Sequence, residues 1–249
     1  MLYNADTKPI LKPTFWQPWK GKRSMKISVL VPAYNEALVI GATLAHVRDV
    51  LAPHELLVGN SVSTDATADI ARAFAQVITR QMSRGAILNE LAALATGDVL
   101  LFLHADTLIP PDTASAIRAV LKNPNVVGGA FRLRLDDHGR GARLVARSVN
   151  LRTALLNTFF GDQAMFVRRE VFARSGGFQD WSLMEDLEIL RRLRQQGRLQ
   201  VLDAEVVTSA RRHRSKGWIK TISTIWGICL LNRCGVPAQV LVRLYKPQR

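Results

Sequence analysis

Between residues 27 and 103, short and mostly apolar runs alternate with longer stretches in which apolar residues recur every three or four positions. The runs at residues 27–31, 55–59, 77–80 and 99–103 predict strands, and the stretches at 36–51, 67–75 and 85–95 predict helices. The run at 99–103 is wholly apolar, as a central parallel strand buried on both faces should be. Pro32 is expected to end the first strand. Alternating strands and helices predict an α/β domain whose mostly parallel central sheet is flanked by helices. In such sheets ligands sit at the carboxyl ends of the strands. That rule singles out three loops, residues 32–36, 60–65 and 104–107.

Beyond Pro111 the rhythm changes. Residues 127–135 partly alternate and predict an antiparallel-type strand, residues 143–156 a helix, and residues 201–207 a further extended stretch. Residues 183–194 predict a helix with acidic residues early and arginines late, matching its dipole, and Gly197 caps it. In residues 216–233, Ile219, Ile222, Trp226, Cys229, Leu230 and Arg233 fall at helical spacing, flanked by Lys216 and Lys220. This predicts an amphipathic helix that either packs on the domain or rests on an anionic membrane surface. Residues 1–24 carry Pro9, Pro13 and Pro18, scattered lysines and no period, and read as a flexible tail. The expected division is a tail at 1–24, one domain at 25–215 and a C-terminal amphipathic helical segment at 216–249.

A chain of 249 residues with 48% hydrophobic residues supports one large α/β core. The net charge of +14 points to a polyanionic partner: nucleic acid, an anionic membrane surface or a phosphorylated substrate. A merely solvating basic surface is the bland alternative. No uninterrupted apolar stretch has the length of a membrane span, and the N-terminus lacks a signal-peptide pattern. Two cysteines, Cys229 and Cys234, cannot build a disulfide framework, and the expected setting is a reducing cytoplasm.

Some loops carry candidate chemistry. Asp106 follows the fourth strand and could give a divalent cation one oxygen ligand beside substrate phosphates; alternatively it is a turn or helix-capping residue. Glu185-Asp186 opens a helix, where a carboxylate can serve as a general base or simply stabilise the dipole. Arg211-Arg212-His213-Arg214 is a dense cationic stretch, suited to an anionic ligand or simply, for Arg214 and Lys216, a solvated basic run. No Gly-x-Gly-x-x-Gly follows the first strand, which counts against a nicotinamide-dependent oxidoreductase.

These pieces occur in one order: Val31-Pro32-Ala33-Tyr34-Asn35-Glu36, Ser61-Val62-Ser63-Thr64-Asp65, Ser83-Arg84-Gly85-Ala86, His104-Ala105-Asp106, Gly161-Asp162-Gln163, Met184-Glu185-Asp186 and Ser209-Ala210-Arg211-Arg212. That order resembles family-2 glycosyltransferases of the GT-A fold over about residues 25–245. It looks most like a subgroup with a His-Ala-Asp motif found beside radical-SAM genes and sometimes labelled arsenosugar biosynthesis enzymes.

The resemblance implies an inverting, hexosyl-type transferase with a nucleotide-diphosphate sugar donor and Mn²⁺ or Mg²⁺. It places Pro32, Tyr34, Glu36, Asn60, Arg84, His104, Asp106, Arg211 and Arg212 around the nucleotide sugar. Tyr34 would stack on the base, and Glu36 would contact the ribose or cap the first helix. Asp65 would orient its loop or cap the helix near Thr67. His104 stands where the wider family has the first aspartate of Asp-x-Asp, and Asp106 matches the second, the metal ligand. Asn60 replaces an aspartate that accepts from the base, and Ser61 and Val62 replace glycines. Asp162 and Gln163 would border the acceptor and sugar, or form a buried polar loop that satisfies backbone groups. Asp186 would be the base, with Glu185 supporting it. The cationic segment would close over the diphosphate with Gly217 as a hinge, and His213 is a candidate metal ligand. The acceptor is left open among lipid, glycan and small molecule; peripheral contact on the inner face of the plasma membrane is expected only under the membrane reading of the C-terminal helix, and no nucleic-acid partner is expected. The alternative class is a non-catalytic basic module binding membrane or nucleic acid.

Overall fold

The computed structural model describes residues 24–51, 55–180, 185–211, 214, 217–236 and 240–241. The strands are β1 (Ile27–Ala33), β2 (Glu55–Asn60), β3 (Gln76–Thr79), β4 (Val99–Phe102), β5 (Thr107–Leu108), β6 (Val126–Leu135), β7 (Met165–Arg168) and β8 (Arg198–Thr208). The helices are α1 (Ile40–Leu51), α2 (Thr67–Arg72), α3 (Arg84–Leu94), α4 (Thr113–Val120), α5 (Arg140–Leu156), α6 (Arg169–Arg174), α7 (Glu185–Arg194) and α8 (Trp218–Arg233). The expected tail lies outside the described residues except for Ser24.

The strands form one mixed sheet in the order β3-β2-β1-β4-β7-β6-β8-β5. β1 pairs in parallel with β2 and β4, while β4 and β7 are antiparallel. Both faces are apolar, as the unbroken hydrophobic runs require. Val29 and Val31 of β1 pack with Leu44 of α1, Ile117 of α4 and Val145 and Val149 of α5. Leu30, between them, faces the opposite core with Leu88 of α3, Phe172 of α6 and Ile189 of α7. Alternate side chains of one strand thus feed two cores, one under each helical layer.

Several expectations are corrected in detail. β1 runs on through Pro32, which pairs in register with Gly59. The carbonyl of Leu30 faces β4 and accepts from Leu103 N–H at 3.0 Å, so the Pro32 nitrogen two residues on points to that same side. The β1–β4 ladder ends at Leu30–Phe102, so no bond is lost there. The first helix starts at Ile40 rather than at 36: residues 37–39 form a turn, with Val39 and Ile40 N–H both donating to the Glu36 carbonyl, and Glu36 N–H is held outside the helix by Thr67 Oγ1 at 2.8 Å. The strand at 126–135 is antiparallel to β7 but parallel to β8. β5, α4, β7 and α6 were not expected. β5 has two residues, and the four of β7 run directly into α6 without a turn signal.

β4 lies inside the sheet between β1 and β7. Residues 103–106 therefore leave the sheet at its carboxyl edge, with the end of β1 on one side. The β2–α2 loop carries the backbone strain that its sequence invites: Val62 sits at φ 56°, in the left-handed region. A β-branched residue costs roughly 1–3 kcal/mol in such a conformation. Val62 is exposed, so little packing opposes its removal. Val62→Gly is expected to raise the melting temperature by about 2–4 °C in a thermal unfolding scan; a lower melting temperature would refute the strain.

Candidate active site

The catalytic candidates converge on one guanidinium. Ser83 caps α3, accepting from Ala86 N–H at 3.1 Å, and this sets Arg84 at the first helical position. Arg84 Nη1 donates to Glu185 Oε1 at 2.6 Å and lies 3.7 Å from Asp186 Oδ2. Arg84 Nη2 meets His104 Nε2 at 2.6 Å. A guanidinium only donates, so Nε2 accepts and the imidazole is neutral with its proton on Nδ1. Asp186 Oδ2 also accepts from Gly161 N–H at 3.1 Å. The glycine is required there: a Cβ would lie 2.4 Å from Arg84 Nη2 and 2.6 Å from His104 Nε2.

This packing sets the charges. Burial alone would lower the Arg84 pKa, but Glu185, Asp186 and Asp162 together hold it above its ordinary value. The Glu185 carboxyl is 1% exposed. Burial pushes it up to about 7, against the Arg84 charge that pulls it down and with the Asp186 charge that adds to the rise. One member of the carboxylate pair therefore exchanges its proton near neutrality.

A second cluster forms on the same loop two residues on. Arg211 Nη2 bonds Glu36 Oε2 at 2.5 Å and stands 3.8 Å from Asp106 Oδ2. The Glu36 bond, outweighing the opposing effect of burial, raises the Arg211 pKa. Ser209 N–H donates to the Asp106 carbonyl at 3.2 Å, and the Thr107 and Thr208 hydroxyls bond at 2.7 Å, fixing this segment to the β4 loop. Residues 104–106 thus join the cluster of Arg84, Glu185 and Asp186 to that of Glu36, Asp106 and Arg211.

Other expected residues take varied places. Tyr34 stands exposed, 54% accessible, at the end of β1, and Pro32 is a half-buried strand residue rather than a loop residue. Asn60 is buried, and its side-chain carbonyl oxygen accepts from the Ser63 hydroxyl at 2.6 Å and the Ser63 N–H at 3.2 Å, closing its own loop. Asp65 accepts from Ala37 N–H at 3.2 Å and Thr67 N–H at 3.0 Å, lashing the first two loops together. The Thr67 hydroxyl bond, outweighing burial, holds its pKa below the usual range.

Gln163 does not face the cleft. It is fully buried, accepts from Arg152 Nη2 and Thr153 Oγ1, and donates to the Phe131 carbonyl. Asp162 gives its carbonyl to Thr208 Oγ1 at 3.0 Å. Arg214 chelates Asp137, Nε to Oδ2 at 2.8 Å, on the outer side of the segment. Arg212, His213, Lys216 and residues 181–184 lie outside the described residues. Gly217 takes φ 82° just before α8.

Arg152 was missed by sequence reasoning. It is 1% exposed, lies over the Phe160 ring at 4.5 Å and supports Gln163 beneath the 161–163 turn. Burial drags its pKa down, with Cys229 and Asp162 opposing. A signal existed: Arg152 shares the helical phase of Val145 and Val149, the buried face of α5.

Among the described residues no group of three or more His, Cys, Asp or Glu could hold a metal ion. The donor set at the β4 loop fits the other arrangement, one carboxylate plus substrate phosphates, through Asp106.

The family model described as Glycosyl transferase family 2 matches residues 28–176. Among known proteins, the chain is 28% identical over 204 residues to the probable glycosyltransferase YdaM of Bacillus subtilis, covering 69% of this chain and 47% of that protein. It is 30% identical over 164 residues to the PGL/p-HBAD biosynthesis glycosyltransferase of Mycobacterium bovis, covering 61% of this chain and 62% of that one. The chain therefore spans between about half and three fifths of these relatives. Its fold matches the mannosyltransferase PcManGT of Pyrobaculum calidifontis, solved with GDP-Man and Mn²⁺, with TM-score 0.63 and 23% identity over 84% of this chain and 61% of that one.

The raised Glu185 pKa makes stability depend on pH with a definite sign. The folded state holds this proton more tightly than the unfolded chain, whose value is near 4.5, so stability falls as pH rises from about 4.5 to about 7 and then levels off. Urea unfolding between pH 5 and pH 8 should show a loss of about 1–3 kcal/mol, and Glu185→Gln should flatten that slope. An unchanged slope in the variant would assign the proton elsewhere.

Proposed function

The chain belongs to glycosyl transferase family 2, and on that premise we propose that it moves a sugar from a nucleoside-diphosphate sugar to an acceptor hydroxyl, with inversion at the anomeric carbon. The observation that carries this reading is the Arg84–His104 contact, which sets the buried pair Glu185-Asp186 beside the loop that presents Asp106. A base and a diphosphate site are what the transfer needs, and in this reading Arg84 links the α7 carboxylates to the β4 loop through His104.

In this proposal the acceptor oxygen attacks the anomeric carbon from the face opposite the diphosphate. Asp186 accepts its proton at the carboxylate oxygen not held by Gly161 N–H. Glu185 and Arg84 position Asp186, and Glu185 is the group able to relay that proton near neutral pH. The Asp162 segment borders the sugar. Arg211 offsets the charge that grows on the departing diphosphate, and Arg212 is assigned the same role. Tyr34 offers its exposed ring to the base, and Glu36 meets the ribose or holds Arg211 in reserve.

A divalent cation, Mn²⁺ or Mg²⁺, would be held by Asp106 together with donor phosphate oxygens, where it neutralises diphosphate charge. His104 adds no negative charge, so affinity for the free cation should be low and should rise with donor bound. Placement in the His-Ala-Asp subgroup is part of this proposal and rests on the resemblance of the His104-Ala105-Asp106 sequence. A non-catalytic binding module would leave the buried Glu185-Asp186 pair and its contact with Arg84 without a use.

Two substitutions test the roles separately, with donors chosen by a thermal-shift screen of nucleoside-diphosphate sugars in Mn²⁺. Asp186→Asn should lower turnover about 10²–10⁴-fold while donor affinity stays within about twofold. Equal loss of binding and turnover, or retention at the anomeric carbon, would remove the base role. Asp106→Ala should weaken donor binding about tenfold with Mn²⁺ present and change it little in a chelator. Identical losses under both conditions would take Asp106 out of the metal site.

A further inference from the structure

α5 and α8 pack side by side and run parallel: Gly141 abuts the Trp218 ring, and about two turns further along both helices Trp226 Nε1 donates to Ser148 Oγ at 2.8 Å. α5 buries Ala142, Val145 and Val149 on its core side. At about 100° per residue, Leu144, Leu151 and Leu155 follow one another beside Ser148, on the side away from that core. By the same rotation Ile219 and Leu230 stand beside Trp226 on α8, on the same side of the pair. The Ser148–Trp226 bond therefore lies along the seam of one continuous surface. On it Leu144, Leu151, Leu155, Ile219 and Leu230 are 52%, 54%, 64%, 78% and 48% exposed.

The charge around this surface is mainly positive: Asp203 and Glu205 line the adjoining groove with Leu151 and Arg147, but each already faces an arginine, Arg132 at 4.0 Å and Arg134 at 3.8 Å. Exposed Arg140 and Arg147 border it on α5, and exposed Lys220 lies on the outer side of α8. Neither helix contains an aspartate or glutamate. The expected division of α8 into an apolar and a polar side is also corrected: its apolar residues go round the helix, more than α5 can cover. No helix among the described residues is long and apolar enough to cross a membrane.

We propose that the α5–α8 face docks the protein on the surface of an anionic lipid bilayer, the five aliphatic side chains entering the headgroup–acyl boundary and the flanking cations meeting lipid phosphates. A bilayer accepts both kinds of group at once. A second copy of the chain fits less well: a two-fold contact would bring Arg140, Arg147 and Lys220 of one copy near those of the other, while the neighbouring carboxylates Asp203 and Glu205 already face Arg132 and Arg134. Nucleic acid meets the charge but leaves the aliphatic chains unused, since bases stack on aromatic faces. The surface is separate from Asp106 and Asp186, so it stands or falls independently of the proposed reaction.

The test is flotation of the full chain with vesicles of phosphatidylglycerol and phosphatidylcholine against vesicles of phosphatidylcholine alone. Binding should favour the anionic vesicles by about tenfold or more and weaken with salt. The exposed triple variant Leu144→Ser/Leu151→Ser/Leu155→Ser should lose about tenfold in binding without a change in melting temperature. Arg140→Gln/Arg147→Gln should flatten the salt dependence. Wild-type binding by the triple variant, or equal binding to neutral vesicles, would overturn the proposal. So would a dimer in sedimentation velocity, or an RNA complex, that the same triple variant abolishes.

Discussion

The buried contact between Arg84 and Glu185 is the constraint on which the site depends. It spans 101 residues of sequence and joins the start of α3 to the start of α7. Both ends are positive poles of helix dipoles, which favours Glu185 and Asp186 where they stand but disfavours Arg84. The carboxylate pair therefore outweighs the dipole in holding the guanidinium. A pair of this kind offers little net stability, because desolvation offsets attraction. Its effect is geometric: it fixes Asp186, Gly161 and His104 within one hydrogen-bonded group.

The same contact explains why a histidine can stand at position 104. An aspartate there would give the guanidinium a third carboxylate beside Glu185 and Asp186. Neutral imidazole accepts one Arg84 hydrogen bond without adding charge. The negative charge of the loop is thereby concentrated at Asp106, which shares Arg211 with Glu36. Like charges are kept apart along three residues, the carboxylate pair balanced by one arginine and Asp106 by another. Such a division suits a reaction that handles a proton at one end of the loop and a diphosphate at the other.

The far side of the domain is organised by a buried cation rather than a buried acid. Arg152 fills the base of the 161–163 turn, with Gln163 and the Phe160 ring around it and Cys229 of α8 nearby. The turn that presents Gly161 N–H to Asp186 therefore rests on the helix pair whose outer face is apolar and cationic. The proposed bilayer surface and the proposed reaction centre occupy opposite sides of one supporting layer.

The apolar pattern alone determined the α/β class, the first four strands, most of the helices and the loops at the carboxyl ends of β1, β2 and β4, because period and burial are local properties that each segment carries in its own residues. The order of motifs likewise pointed to Asp106, Glu185, Asp186 and Arg211. It could not say that Pro32 would remain in a strand, because that depended on where β4 stopped. Nor could it show that Asn60 and Gln163 would spend their hydrogen bonds inside the protein, that Arg152 would be buried, or that Arg84 would turn to Glu185. Each of those outcomes was decided by partners tens of residues away. A polar side chain can meet a ligand or a neighbour with the same chemistry, and only tertiary packing determines which one lies within about 3 Å.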